Sequence, residues 1–141
     1  MSTLRKDFKT NIESEKRGIW FTAHIEEDET KVRFKIASTS SANTKYLKAI
    51  EQASRPYRSM KKIPMELQLE LAKKCYIENC LIDWENVPKE GGGELPFSLE
   101  NAKELFKDIP HLLELLMRAS DDTANFQEGD WEQDAKNLPS A

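Results

Sequence analysis

Two short runs in which apolar and polar residues alternate constrain the fold of this chain more than any other feature. Alternation is the period of a β-strand with one buried face. The acidic connection at residues 26–29 is short enough to join the two runs as a hairpin. Helical patterns follow, so we expect an α+β domain in which an antiparallel β-hairpin over about residues 18–37 packs on a mainly α-helical bundle. The inward-facing residues are Ile19, Phe21, Ala23 and Ile25 in the first run and Val32, Phe34 and Ile36 in the second.

Four helices are expected after the hairpin. Pro56 closes the first of them, and Pro64 and Pro110 suit first helical turns, where a missing N–H costs no hydrogen bond. Ser98 offers a hydroxyl that can cap the third helix. The second helix carries too wide an apolar arc for one narrow stripe, so it is either the centre of the domain or partly a subunit interface. The four helices span about residues 44–54, 65–84, 98–108 and 110–120.

The charge of the chain is divided between its halves. Residues 1–63 carry 14 Lys and Arg against 8 Asp and Glu, a net charge of +6, whereas residues 64–141 carry 7 against 17, a net charge of −10. The halves either attract each other across an intramolecular or subunit interface or present solvated faces, and we favour solvated faces. The basic linker at residues 55–62 is the best candidate for contact with an anionic group.

Two basic segments raise the question of nucleic-acid binding. Basic residues alternate along the second strand, where such a row usually keeps an exposed face hydrated and discourages edge pairing. The sequence pI of about 5.3 also argues against a phosphate track. We therefore expect no nucleic-acid partner. A phosphate track would have to use Lys31, Arg33, Lys35, Arg55, Arg58, Lys61 and Lys62.

The last helix and the segment after it supply the candidate partner-binding residues. Four of the five residues at 112–116 are Leu, which is more than one buried stripe needs, although burial in the domain's own core is the simpler interpretation. After residue 120 the composition turns acidic, so we expect a globular domain over residues 1–120 and a flexible acidic tail over 121–141. Aromatic residues in such a tail either anchor a partner or pack back on the domain. The candidates are Leu112, Leu113, Leu116 and Met117 in the helix and Phe126 and Trp131 in the tail.

Signatures of catalysis and of cofactor binding are missing from the sequence. It contains no phosphate-binding glycine loop, no nucleophile elbow and no HExxH helix. Cys75 and Cys80 form no CxxC pair, and on one helix their side chains would point apart. The two His residues are isolated in sequence, which leaves no ligand spacing for a metal. We expect no enzyme activity, no cofactor and no metal site.

The chain also lacks the usual signals for export or membrane insertion. No apolar run approaches the ~18 residues that a membrane span requires. The first residues carry the charge of a signal peptide but no apolar stretch follows them. Two cysteines without a disulfide partner suit a reducing compartment. We expect a cytoplasmic protein with no membrane partner.

A series of motifs, taken in order, resembles the tail assembly chaperones of long-tailed, siphovirus-type bacteriophages. The resemblance covers most of the chain and rests on the order of the motifs more than on any one of them. An acidic segment ending in Gly-x-Trp at residues 13–20 leads into the hairpin, Arg-Pro-x-Arg stands at 55–58, Asp83-Trp84 ends the long helix, Leu-Pro-Phe-Ser at 95–98 precedes Asn101-Ala102, and Asp108-x-Pro110 precedes the last helix.

Such chaperones coat the long, mostly helical tape-measure protein in the infected cell and leave as tube subunits polymerise around it. The resemblance implies a non-virion protein of the host bacterial cytoplasm, with the tape-measure protein and the tail tube protein as partners and self-association left open. It also implies a longer product made by a ribosomal slip, for which the codons A-AAA-AAC at Ala135-Lys136-Asn137 would be suitable. The alternative function is a non-enzymatic, prophage-encoded adaptor or inhibitor that binds a folded bacterial partner.

Overall fold

A three-stranded antiparallel sheet forms the centre of the fold, which the computed structural model describes for residues 4–5 and 9–127. β1 (Ile19–Ile25) and β2 (Lys31–Ile36) form the expected hairpin. β3 (Leu81–Glu85) pairs with the other edge of β2, so that Phe34 lies opposite Phe21 on one side and Trp84 on the other. Helices precede and follow the strands along the chain, and the expected α+β class is confirmed.

One predicted inward residue of the hairpin faces solvent instead. The register of β1 against β2 shifts between Thr22 and His24, which places an extra residue in β1. A bulge of this kind moves the following residues to the opposite face. Ile25 therefore lies opposite Lys31 on the outer face and is 56% exposed, so its predicted burial was wrong.

The second helix is shorter than expected. α3 (Met65–Asn79) ends before Cys80, and residues 81–84, which the sequence predicts as its last turn, belong to β3. The Ala37 N–H donates to the Cys80 carbonyl at 2.8 Å, which starts the pairing with β2. Pairing buries Leu81 and Trp84 on the core face of the sheet. The prediction of a helix to residue 84 was wrong because Ile77, Leu81 and Trp84 have helical spacing although they belong to two elements.

The other predicted helices are confirmed, with the expected cap at Ser98 and a further cap at Asn43. The Asn43 side chain accepts from the Tyr46 N–H at 3.3 Å, and the Ser98 hydroxyl accepts from the Asn101 N–H at 3.0 Å. A short helix before β1, capped by Asn11, was not expected. Within the described residues the remaining elements are α1 (Ile12–Arg17), α2 (Thr44–Ser54), α4 (Leu99–Asp108), α5 (Pro110–Asp121) and the 3-10 turns Arg55–Tyr57 and Thr123–Phe126.

Aromatic residues join the sheet to the helices. Phe34 is fully buried, with its ring centre 5.8 Å from that of Trp84 and 6.5 Å from that of Phe106 on α4. Trp84 also packs edge-on against Phe97 at 5.0 Å. Its indole N–H donates to the Leu95 carbonyl at 2.8 Å. The connection between β3 and α4 is therefore held to the core by the Phe97 ring and by the Leu95 backbone.

The residues just after α5 belong to the folded unit, contrary to the expected domain boundary at residue 120. Phe126 is fully buried, and its carbonyl accepts from the Asn11 N–H at 2.7 Å. Thr10 and Gln127 form a β-bridge. Burial of Phe126, together with this hydrogen bond and the bridge, holds the segment to the domain although its composition is acidic. The remainder of the expected tail, residues 128–141, lies outside the described residues.

Candidate partner-binding surface

The last helix, α5, packs its leucines into the domain's own core. Leu116 is fully buried and Leu113 is 4% exposed. Leu112 and Met117 are half-buried and pack against the same core. The Tyr76 hydroxyl donates to the Leu116 carbonyl at 2.9 Å, which fixes α5 against α3. Leu113 and Leu116 therefore follow the simpler interpretation, burial in the domain's own core, because the sheet and α3 already cover them.

The two aromatic candidates after α5 have different outcomes. Phe126 is buried, so of the two interpretations left open by the sequence it follows the one in which the aromatic residue packs back on the domain. Trp131 lies outside the described residues. None of the described candidates therefore forms an exposed patch on α5 or after it.

Exposed apolar side chains are found instead on a helical hairpin formed by residues 44–74, which comprises α2, the 3-10 turn, the basic linker and the first ten residues of α3. No residue between 44 and 74 is fully buried. Tyr46 is the residue of α2 that packs against the core, at the base of the hairpin. The rest of the helical hairpin therefore lies beyond the core and is held by the contact of α2 with α3.

One side of α3 shows how the helix passes from the core to solvent. Met65, Leu69, Ala72 and Tyr76 follow one another at spacings of four, three and four residues, so their side chains share a face. Tyr76 is fully buried, whereas Leu69 is 48% and Met65 is 82% exposed. The core-facing side of α3 thus continues as an uncovered apolar side in the helical hairpin.

α2 also carries apolar residues that lie outside the core. A groove between the two helices is lined by Ala49, Gln52 and Ala53 from α2 and by Leu71, Lys74 and Glu78 from α3. By helical periodicity, Leu47 and Ile50 point away from that groove on α2, as Met65 and Leu69 do on α3. Leu47 is 53% exposed and Ile50 is half-buried. These four residues, Leu47, Ile50, Met65 and Leu69, are called the apolar face below.

The outer face of the sheet is occupied by charge pairs. Arg33 forms an ion pair with Glu85 on β3, and its guanidinium lies 5.2 Å from the centre of the Trp20 ring. Lys35 is opposite Asp83 in the strand register. The basic row of β2 is thus accompanied by carboxylates from β3, which limits its attraction for a separate anion.

Burial affects the titratable groups near the base of the helical hairpin. Burial raises the pKa of both the Cys75 and the Cys80 thiols, so neither is a ready nucleophile at neutral pH. Burial also raises the pKa of Tyr46 to about 12.

Among the described residues, no group of three or more His, Cys, Asp or Glu is placed to hold a metal ion. No helix in the described part of the chain is long and apolar enough to cross a membrane.

Comparison with known families gives the origin of the chain. Residues 41–137 match the family of the YdaY prophage protein. The chain belongs to this family. It is therefore phage-derived, and the part matched to the YdaY family begins just before the helical hairpin and includes β3, α4 and α5. No curated protein and no solved structure matches the chain.

The sequence did not identify the apolar face, because a wide apolar arc on the second helix fits both the centre of the domain and a subunit interface. The sequence did show that the apolar arc of the second helix is unusually wide, and it did mark the basic linker as a surface element. A further signal was present in the same segment. Met65 directly follows Pro64 at the start of α3, and a large apolar residue in the first turn next to a charged loop is poorly placed for core burial.

Proposed function

We propose that this chain is a phage tail assembly chaperone that binds the tape-measure protein, keeps it soluble and helps to recruit tail tube subunits. In this proposal the chain acts without catalysis in the host bacterial cytoplasm and is absent from the mature virion. Membership of a prophage family supports a role in a phage life cycle. The observation that carries the proposal is the apolar face of the helical hairpin, because it lies outside the core of the domain.

The physical argument concerns what an unassembled tape-measure protein needs. A long helical protein with apolar stripes aggregates unless another surface covers those stripes. Two packed helices with one uncovered apolar side are suited to receive a third helix, in the manner of helix-in-groove recognition. The chain itself has a formal net charge of −4, which favours solubility of a complex that contains many copies.

The first experiment identifies the partner. A tagged chain is purified from cells that are producing the phage particle, and mass spectrometry is applied both to the proteins that co-purify and to the finished particles. We expect the tape-measure protein in the first sample and no copy of this chain in the second. Recovery of a folded bacterial protein in place of the tape-measure protein would support the adaptor or inhibitor alternative.

A pair of variants tests whether the apolar face is the binding surface. Leu69→Asp places a charge in the centre of the face, and we expect it to abolish recovery of the tape-measure protein. Leu99→Asp is the matched control, because Leu99 is 44% exposed, close to the 48% of Leu69, but lies on α4. Circular dichroism of both variants checks that each remains folded. If Leu69→Asp recovers as much tape-measure protein as Leu99→Asp, the apolar face is excluded as the binding surface.

A further inference from the structure

The outer end of the helical hairpin has a strongly positive charge. Residues 44–74 contain eight Lys and Arg against three Glu, a net charge of +5 in a chain whose net charge is −4. Half of those cations lie within residues 55–62, where no acidic residue occurs. We call this segment the basic tip; its cations are Arg55, Arg58, Lys61 and Lys62.

The cations of the basic tip are only partly neutralised by the chain itself. Arg55 and Arg58 share one carboxylate, that of Glu51, at 3.6 and 3.5 Å. Both arginines are about 60% exposed, and ion pairs at such exposure hold their charges weakly. In the part of the chain that the structure describes, Lys61 and Lys62 form no ion pair. The tip therefore retains a net positive potential.

The basic tip is adjacent to the apolar face. Met60 lies within the tip and is 44% exposed, and Met65 follows only three residues after Lys62. A helix that lies along the apolar face toward the tip thus meets apolar side chains first and cations at its end. An oppositely charged end would fix the direction in which such a helix binds, since charge complementarity sets orientation more than it adds affinity.

We propose that the occupant of the apolar face is an amphipathic helix with an acidic end, whose apolar stripe contacts Leu47, Met65 and Leu69 and whose carboxylates meet Arg58, Lys61 and Lys62. This inference rests on the proposed function, and it specifies which stretch of the tape-measure protein is recognised: an apolar-striped helix bounded by acidic residues. The cations of the basic tip would repel Lys or Arg at the end of a bound helix, so the same contact also rejects helices with basic ends.

Two labelled synthetic peptides test this proposal directly. They share length and apolar stripe, with Leu at helical spacing, and differ in one terminal turn, which is Glu in one peptide and Lys in the other. Circular dichroism confirms equal helical content before binding is measured by fluorescence anisotropy. At low salt we expect the Glu peptide to bind about tenfold more tightly than the Lys peptide. The difference should disappear near 1 M salt, where the screening length is about 3 Å.

A charge reversal at the tip provides the second arm. The double variant Lys61→Glu and Lys62→Glu lowers the net charge of the basic tip from +4 to 0, so it should bind the two peptides about equally. The matched control is Lys103→Glu with Lys107→Glu on α4, where both lysines are exposed and distant in sequence from the hairpin. This control should retain the original preference. Both double variants change solvent-exposed residues, so both are expected to fold.

The outcomes separate this inference from the proposed function. Equal binding of both peptides, combined with loss of binding in Leu69→Asp, overturns charge selection but leaves the apolar face as a binding surface. Stronger binding of a peptide with the sequence of residues 128–141 would identify the chain's own acidic segment as the occupant and overturn the proposal. Salt-sensitive self-association that blocks both peptides would assign the face to a second copy. Charge-selective binding of the Glu peptide without recovery of the tape-measure protein would contradict the proposed function, and it would leave a helix with an acidic end as the ligand of the apolar face.

Discussion

The body of this domain and its helical hairpin are built from similar residues but use them differently. In the body, the sheet, α4, α5 and the end of α3 enclose Phe34, Tyr76 and Leu116 completely. In the helical hairpin, no residue between 44 and 74 is fully buried. α3 belongs to both regions, so one continuous helix changes from core element to exposed arm. Helical periodicity alone does not distinguish these two situations, because they differ only in what packs against the helix.

This contrast has a thermodynamic consequence. Apolar surface stabilises a fold in proportion to the area that is removed from water. Side chains of the body should therefore carry most of the stability, whereas apolar residues of the helical hairpin should be replaceable at little cost. Removing single side chains from each region tests that division, and the expected effects cover a wide range.

The largest effect is expected at the centre of the body. Phe34→Ala removes a fully buried ring that contacts Trp84 and Phe106, and it leaves a cavity between the sheet and α4. We expect the free energy of unfolding to fall by about 3–5 kcal/mol. Urea denaturation followed by circular dichroism measures the change. A loss comparable to that of an exposed Leu would contradict the assignment of the core to this face.

A smaller but clear effect is expected where α1 meets the sheet. Gly18 has φ of +93°, and a Cβ at this position would lie 2.6 Å from Ile82 Cδ1 and 2.9 Å from the Ile36 carbonyl oxygen. Gly18→Ala should therefore cost about 2–3 kcal/mol of unfolding free energy. Gly92→Ala is the control, because Gly92 also has positive φ but no described atom lies within 4 Å of its Cβ position. Its cost should be about 1 kcal/mol.

The contact between α3 and α5 should contribute less. Tyr76→Phe keeps the buried ring and removes a hydroxyl that lies 2.9 Å from the Leu116 carbonyl and 2.6 Å from the Ser120 hydroxyl. We expect a loss of about 1–2 kcal/mol, because a buried polar group loses its partner. The urea midpoint should fall without a change in the dependence of unfolding free energy on urea concentration. An unchanged midpoint would show that the hydroxyl is not needed to hold α5.

The smallest effect is expected in the helical hairpin. Leu69→Ser replaces a half-exposed apolar residue on the apolar face, and we expect the free energy of unfolding to change by no more than about 0.5 kcal/mol. Recovery of the tape-measure protein by the same variant should nevertheless fall. A loss of stability close to that of Tyr76→Phe would show that another part of the chain covers Leu69, and would remove the contrast between the two regions.

Local signals in the sequence were sufficient for much of the fold. Alternation gave β1 and β2, and the Ser98 cap and Pro110 marked where α4 and α5 begin. β3 was missed because Ile77, Leu81 and Trp84 have helical spacing, and pairing with β2 depends on residues distant in sequence. The exposure of Ile25 depends on a bulge that no turn residue announces. These errors arise from tertiary contacts that override local preference.

The candidate surface was less predictable than the fold. A leucine-rich helix is equally consistent with a core element and with a partner-binding element, and only the placement of Tyr76 and Phe126 shows that α5 is enclosed. The basic linker was identified because charge patterns do not depend on tertiary packing. The apolar residues beside it were not, since exposure is a property of the assembled domain.

The uninterrupted course of α3 also has a consequence for sequence change. Leu69 and Tyr76 lie on one helix, and Tyr76 is fixed in the core. The number of residues between them therefore sets the angle about the helix axis at which Leu69 points. Each inserted or deleted residue would rotate that direction by about 100°. Substitutions can therefore alter what the arm binds while its orientation is kept, whereas changes in the length of α3 would turn its part of the apolar face away from the partner and also shift α3 against α2.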